Sequence, residues 1–492
     1  MMKGSGGGYV IAIDQGTTNT KAILVNATGN LVAKASAPLK SHYPRPGWAE
    51  QSAEDIWTSV QTAIADLLRS GTFDIEGLAI ANQRETLVVW DAETGNSIAP
   101  AILWQCRRTA PACETLIANG ANARVVEATG LSINALFPAS KLAWVLQNVP
   151  EAAPLVAQHR LRAGTVDTWL LYKLTGGSKF ATDHSNASRT QLFHTGSLQW
   201  DERLCDLFEV PMSILPEVKP SDSRFGEVAE GVTALKGGIP ILAMMGDSHA
   251  ALYGHGVRAP GLVKATYGTG SSLMTLTSGR VLSHSGLSST IAWSDKNGIA
   301  YALEGNITVS AQAAAFAADM LGLADAGALS DLAQTVVDSA GVVFVPALAG
   351  LGAPHWNDRI SGTISGMTLA TTRAHIARAT FDAIALQVSD VFLAMEKDIG
   401  VQLHGLLADG GASANDFLMQ LQADVLDRAV TRSGAAEVGA LGAAAMALTG
   451  LGEPSSVFNM RQKLFEPRQD LAAWRLEVVQ NWRSLLALLT AA

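Results

Sequence analysis

Tyr9-Val-Ile-Ala-Ile-Asp-Gln-Gly-Thr-Thr-Asn-Thr-Lys21 is the stretch on which the fold turns. Val10, Ile11 and Ile13 suit a buried strand, and Gly16 lets the chain reverse sharply. Such a turn aims backbone N–H groups and threonine hydroxyls at one spot, a cradle for phosphate oxygens. The pattern returns at Leu262-Val-Lys-Ala-Thr-Tyr-Gly-Thr-Gly-Ser-Ser272. Two cradles, about one domain apart, predict two similar halves that grip one polyphosphate between them. The same segments would also serve as two ordinary β-hairpins.

At 492 residues the chain is too long for one compact core, so two or three domains are expected. Hydrophobic content of 48% against 16% charged residues predicts a large core. A net charge of −9 and the lack of a dense Lys/Arg block count against a nucleic-acid partner. Cys106, Cys113 and Cys205 form no metal-ligand pair and are expected as core thiols of a reducing compartment. No run of about 18 apolar residues exists, so no membrane span is expected. Residues 1–8 are glycine-rich and too polar for a signal peptide, which reads as a flexible leader on a cytoplasmic protein.

Strands alternate with helices from Tyr9 onward, giving an α/β class. Ser52-Ala-Glu-Asp opens a helix that carries Ile56, Val60 and Ile64 at helical spacing. Gly254-His-Gly-Val-Arg-Ala-Pro-Gly261 reads as the linker, dividing the chain into 9–255 and 256–492. An alanine-rich helix from about Gly439 and a Trp474–Leu489 helix close the second half.

Four places carry chemistry. Asp14, directly before the first turn, suits a carboxylate that holds Mg²⁺ against phosphates; a turn or capping aspartate is the alternative. Asp247, in Gly246-Asp-Ser-His, suits a base that takes the proton of an attacking hydroxyl, and Gly-Asp-Ser before alanines also suits a helix N-cap. Arg84 and Glu85 suit vicinal hydroxyls, although charge alone favours an exposed surface pair. Ala408-Asp-Gly-Gly-Ala-Ser-Ala-Asn415 has the small residues and helix start of a further nucleotide turn. No zinc pattern, nucleophile elbow or GxxxxGK[ST] loop is present.

In this order, the motifs resemble the FGGY carbohydrate kinases, most closely the glycerol kinases, over the whole chain after the leader. The specific stretches are Ile13-Asp-Gln-Gly-Thr-Thr, Asn82-Gln-Arg-Glu-Thr, Leu103-Trp-Gln-Cys-Arg-Arg-Thr and Gly164-Thr-Val-Asp-Thr-Trp-Leu. Thr182-Asp-His-Ser-Asn-Ala-Ser-Arg-Thr, Thr266-Tyr-Gly-Thr-Gly, Gly350-Leu-Gly-Ala-Pro-His-Trp and Asp409-Gly-Gly-Ala-Ser-Ala-Asn complete them. The resemblance implies two actin-like (ribonuclease H-like) domains around a nucleotide cleft. It also implies transfer of the ATP γ-phosphate, with Mg²⁺, to a terminal hydroxyl of glycerol or a related polyol or sugar. By position it implies Asp247 as catalytic base and Asp14 as the metal carboxylate. Thr17, Thr18, Asn19 and Lys21 match the first phosphate loop, and Thr269 and Gly270 the second. Gly411, Ala412 and Asn415 match the adenosine side. Arg84, Glu85 and Trp104 match the acceptor site, which reverses the surface-pair reading. Homo-oligomers are common in the family.

Departures from the glycerol kinase pattern gather at the acceptor. Leu136 stands where those enzymes carry tyrosine, Ser248 where they carry glutamine, and Ser272 where they carry an aromatic residue. Ala315 takes the place of a nucleotide-pocket glutamine, and 226–238 lacks their sugar-bisphosphate regulatory loop. The expected pocket is wider, with new hydroxyl donors, and suits an acceptor larger than glycerol. A xylulose-type ketopentose kinase and an actin-like ATPase without a sugar acceptor are the alternatives.

Overall fold

The computed structural model describes residues 8–435, 437–452 and 462–491; the leader's residues 1–7 lie outside them. The opening stretch forms a three-stranded meander, β1 (Tyr9–Gln15), β2 (Asn19–Asn26) and β3 (Leu31–Pro38). Two parallel strands, β4 (Ile75–Asn82) and β5 (Pro240–Gly246), extend it beyond β1. The order β5-β4-β1-β2-β3, with a two-residue edge strand outside β5, forms the first sheet. Residues alternate across a strand, so the apolar run of β1 serves both faces. Ile11 and Ile13 pack with Ile56, Val60 and Ile64 of α1 (Ala53–Leu68), which Ser52 caps by accepting from Asp55 N. Val10 and Ala12 face a second core on the other side.

The second half repeats the plan. Strands β6 (Leu262–Tyr267), β7 (Ser271–Thr277), β8 (Ser288–Asp295) and β9 (Gly298–Ile307) are followed by β10 (Gly405–Asp409) and β11 (Ala429–Ser433). The order β9-β7-β6-β10-β11 matches β3-β2-β1-β4-β5, with β8 and a Gln462–Phe465 strand added at the edges. In both halves the strand beside the Gly-Thr turn pairs antiparallel with the next strand and parallel with a later one. The hairpin alternative is therefore incomplete: each hairpin is the centre of a mixed sheet.

Two short helices fill the space between the sheets. Asp247–Gly254 follows β5, and Val438–Gly450 comes from the far end of the chain. The second is buried all round, which its alanine-rich, charge-free sequence permits. It packs on β1, β4 and β5 of the first sheet and along the Asp247–Gly254 helix. One core then joins Val10 and Met245 to Met274, Trp293 and Leu407 of the second sheet.

Glycine sets the closeness of this helix pair. A Cβ on Gly254 would lie 2.4 Å from Val438 O, and one on Gly442 would lie 1.8 Å from Ala250 O. The expected linker is thus a packed helix end at Gly254. It loosens only at Gly256 and Gly261, whose φ angles of 77° and 129° need glycine.

Gly442→Ala should lower stability by about 1–3 kcal/mol, since the obstruction is backbone and cannot swing away. The usual helical gain of alanine over glycine, about 1 kcal/mol, does not offset it. Urea unfolding midpoints decide the matter: a Gly442→Ala protein as stable as its parent would contradict this packing.

Candidate active site

Parallel strands deliver the first-half residues to one edge. Asp14 pairs with Ala81 across β1 and β4, and Asn82 pairs with Gly246 across β4 and β5. Asp14 and Asp247 therefore emerge side by side. Gly439 stands beside both, for a Cβ there would lie 3.7 Å from Asp14 Oδ2 and 3.4 Å from Asp247 O. Burial first, and the Asp247 carboxylate second, push the Asp14 carboxyl up to about 7; Lys21 pulls the other way. Asp247 is not the N-cap. Gly246 holds that position, and Asp247 sits one residue inside the helix, its Oδ1 accepting from Ser248 N at 2.6 Å and Arg84 Nε at 3.1 Å.

Arg84 and Glu85 are not a surface pair. Both side chains are buried, inside a network that crosses between the halves. Arg84 Nη1 lies 2.5 Å from Glu304 Oε1, on β9 of the second sheet. Arg189 Nη2 lies 2.7 Å from Glu304 Oε2, and Arg189 Nε donates to Glu85 Oε1 at 2.7 Å. Burial alone would raise the Glu304 carboxyl, but Arg189 and Arg84 hold it well below the usual range. Breaking such a buried pair costs about 3–5 kcal/mol, because one charge is left alone. Glu85 has a φ of 59°, the left-handed region that a non-glycine residue enters only when its surroundings enforce it.

Trp104 is 39% exposed and bound at both ends. Its backbone N donates to Thr86 Oγ1, and its indole Nε1 donates to Thr17 Oγ1 at 3.1 Å. Thr17 Oγ1 in turn donates to Gln83 Oε1, so this hydroxyl ties the first turn to Trp104 and Gln83. Gly16 N donates to Asn19 O and closes the turn, leaving Thr18 and Asn19 exposed at its tip. Lys21 donates to Glu437 Oε2 at 2.7 Å, ahead of the Val438–Gly450 helix.

Ser248 and Ser272 do not stand as free donors, contrary to expectation. Their hydroxyls lie 2.9 Å apart; buried Lys264 donates to Ser248 Oγ at 2.7 Å, and Ser272 Oγ donates to Glu304 Oε1 at 3.1 Å. Leu136 is half-buried in a turn two residues before the Pro138–Asn148 helix. Phe137 is buried, with the Arg189 guanidinium 5.2 Å from its ring centre.

The second and third turns meet. Gly410, with φ 87°, approaches Tyr267 so closely that a Cβ would lie 2.5 Å from its carbonyl oxygen. Gly270 is equally tight, 2.4 Å from Ile307 O, and Thr269 O accepts from Ser310 N at the start of the Ala311–Met320 helix. Gly411 and Ala412 lie in a short 3₁₀ turn, and a Cβ on Gly411 would meet nothing within 4 Å. Asn415 caps the Asp416–Leu426 helix, accepting from Leu418 N, and donates to Ser330 Oγ. His255 Nε2 lies 2.7 Å from Asp409 Oδ2, joining the last turn of the Asp247 helix to this region.

Glu304, Arg189 and Lys264 belong to this buried network, and sequence reasoning did not single them out. Glu304 had one signal, a lone carboxylate inside the apolar strand sequence Tyr301-Ala-Leu-Glu. Arg189 lay within a quoted motif but carried no visible partner.

Two sheets of one order, each carrying a Gly-Thr turn, define a two-domain, actin-like α/β fold with a nucleotide cleft. Comparison with known proteins narrows the class. The N-terminal domain of the FGGY family of carbohydrate kinases matches residues 9–254, and the C-terminal domain matches residues 263–451. The chain belongs to that family. It is 47% identical to a glycerol kinase of Symbiobacterium thermophilum, with 89% of each chain covered. It is 45% identical to an apulose kinase of Pectobacterium atrosepticum, with 97% of each covered. The structure of Plasmodium falciparum glycerol kinase with ADP superposes with a TM-score of 0.91 at 31% identity, covering 98% of both chains. The protein is an ATP-dependent phosphotransferase acting on an alcohol group of glycerol or a related polyol or sugar. No helix among the described residues is long and apolar enough to cross a membrane.

The raised Asp14 carboxyl has a sign that can be checked. The unfolded chain ionises Asp14 near pH 3.8 and the folded chain near 7, so folding stability is lost as pH rises between them. Asp14→Asn should therefore stabilise the ligand-free protein at pH 8, by up to about 4 kcal/mol, and change little at pH 4. Melting curves at both pH values measure this; equal effects at the two, or a loss at pH 8, would refute the shift.

Proposed function

We propose that this kinase phosphorylates a four- or five-carbon polyol or ketose in preference to glycerol, with Asp247 as the base. The observation that carries the acceptor reading is the closed Lys264–Ser248–Ser272–Glu304 chain. Where glycerol kinases are expected to place a glutamine and an aromatic ring, two short hydroxyl side chains stand here and bond each other. Unpaired serines are no part of the reading, since the structure pairs them. Phe137 is buried, with the Arg189 guanidinium over its ring. The relative at 45% identity that is named an apulose kinase supports an acceptor of this kind.

In this reading Trp104 offers its exposed face to the carbon chain, and Arg84 and Glu85 take vicinal hydroxyls. Arg84 holds one oxygen of Asp247, which orients the other toward the attacking terminal hydroxyl. The turns at Thr17, Thr18 and Asn19 and at Thr269 and Gly270 cradle the phosphates from opposite halves. Lys21 lies beside the first turn, and Gly411, Ala412 and Asn415 border the adenosine. Asp14 suits Mg²⁺: burial first and the nearby Asp247 second penalise its negative charge, which a cation would offset. Magnesium commonly takes one or two carboxylates and completes its shell with water and phosphate. When bound, it neutralises charge on the phosphate oxygens. Positioning and charge then suffice, without a covalent intermediate.

Asp247→Asn should lower kcat by about 10²–10⁴-fold while ATP still binds. Calorimetry beside steady-state rates tests this, and a near-normal kcat would remove Asp247 from the role. The acceptor is decided by kcat/KM over glycerol, tetritols, pentitols, ketopentoses and apulose. The best acceptor should exceed glycerol by about tenfold or more, the scale of one well-filled pocket contact. Glycerol leading the series would overturn the larger-acceptor reading and leave the phosphotransferase assignment intact.

A further inference from the structure

We infer that Lys141 is a positioning residue for the acceptor, its buried ammonium binding together the three backbone segments that present Glu85, Trp104 and Leu136. The inference rests on the acceptor-side reading of those residues. Lys141 lies in the Pro138–Asn148 helix and is wholly buried. Its Nζ donates to Leu136 O at 2.6 Å, Glu85 O at 3.2 Å and Trp104 O at 3.4 Å. An ammonium has three N–H donors, and three carbonyls use all of them.

A filler role explains this poorly. A buried charge is expensive, and no carboxylate stands within ion-pair distance of Lys141 among the described residues. Methionine would fill the same volume without that cost. The three carbonyls also have something in common. Each belongs to a residue outside a regular strand, where no sheet ladder fixes the peptide. Glu85 needs restraint most, since its φ of 59° is unfavourable for a side-chain-bearing residue. Lys141 fixes the Glu85 carbonyl while Arg189 fixes its carboxylate. Trp104 is held by its N–H at Thr86 and its C=O at Lys141, so its exposed ring is aimed rather than loose. Leu136 is pinned the same way, its N–H donating to Asn134 Oδ1. One point charge thus sets the mutual geometry of three loops, and binding sites tolerate little misplacement.

The charge state of the clamp is itself marginal. Burial pushes the Lys141 ammonium down to about 7; Glu85, Cys106 and Cys113 oppose the fall, and Arg108 adds to it. Burial also raises the Cys113 thiol, which keeps it out of that range. A neutral amine has only two N–H donors, so one carbonyl loses its partner as the pH rises through 7.

The test compares Lys141→Met with Trp104→Ala, each checked for folding by its melting curve, using the best acceptor of the panel. Lys141→Met should raise the acceptor KM roughly 10- to 100-fold, the loss of one or two charged hydrogen bonds, and leave the ATP KM within about twofold. Lys141→Arg, which retains donors, should fall between Lys141→Met and the parent. If Trp104→Ala raises the acceptor KM and a folded Lys141→Met does not, the positioning role is wrong and the acceptor reading stands. If neither changes it, both fall. An equal rise in the ATP KM would mark Lys141 as a general structural residue and overturn the inference. Should Lys141→Met not fold, acceptor affinity by calorimetry from pH 6 to 9 decides, without nucleotide and in an Asp14→Asn background. Affinity should weaken as the pH passes through 7, and a flat profile overturns the role.

Discussion

A carboxylate with no solvent contact, Glu304, is the constraint on which the rest of this site depends. It projects from the second sheet and is neutralised by Arg84 and Arg189, both from the first half. It could not stay ionised without them, and its removal would leave each buried guanidinium with only its second carboxylate, Asp247 or Glu85. The consequence reaches the chemistry in two steps. Arg84 is fixed by Glu304 and in turn fixes Asp247; Arg189 is fixed by Glu304 and in turn fixes Glu85. Both halves must be in place before the acceptor side has a defined shape.

Close backbone packing makes this geometry rigid. The Asp247–Gly254 and Val438–Gly450 helices touch at glycines, so the strand end that supplies Asp247 cannot shift without moving a helix from the far end of the chain. Gly410 and Tyr267 make a similar contact on the nucleotide side. Ion pairs between the halves then act on surfaces already matched in shape, where desolvation strengthens them.

Much of this was legible in the sequence. Continuous apolar runs ending in Gly-Thr announced two equivalent strands with turns, and the repeated sheet order follows from them. Asp14 and Asp247 were visible because each stands at a strand end, Asp14 two residues before Gly16 and Asp247 directly after Gly246. Illegible residues are those whose partners lie in the other half. From charge alone Arg84-Glu85 looked like a surface pair, since nothing local reveals that Glu304 will meet Arg84 from more than two hundred residues away. Lys141 went unread for a different reason: its partners are backbone carbonyls of loops in its own half, which no side-chain pattern marks. Ser248 and Ser272 were read as donors seeking a substrate because Lys264, which satisfies Ser248, sits in a different strand. Position was readable; pairing across the cleft was not.

The Asp247–Gly254 helix has Asp247, the proposed base, at its first residue and, just past its last, His255 bonded to Asp409 at the Gly410-Gly411 turn. Eight residues of α-helix span about 12 Å, and each residue turns the axis by about 100°. The helix is therefore a gauge whose length separates the two substrates' halves of the site. Inserting or deleting one residue would swing Asp247 or His255 off its partner and break the register of Gly254 against Val438. Loops around the acceptor can vary in length and retune specificity, whereas this segment admits substitution only. Through lineages of the fold, indels should be found almost anywhere before they are found here.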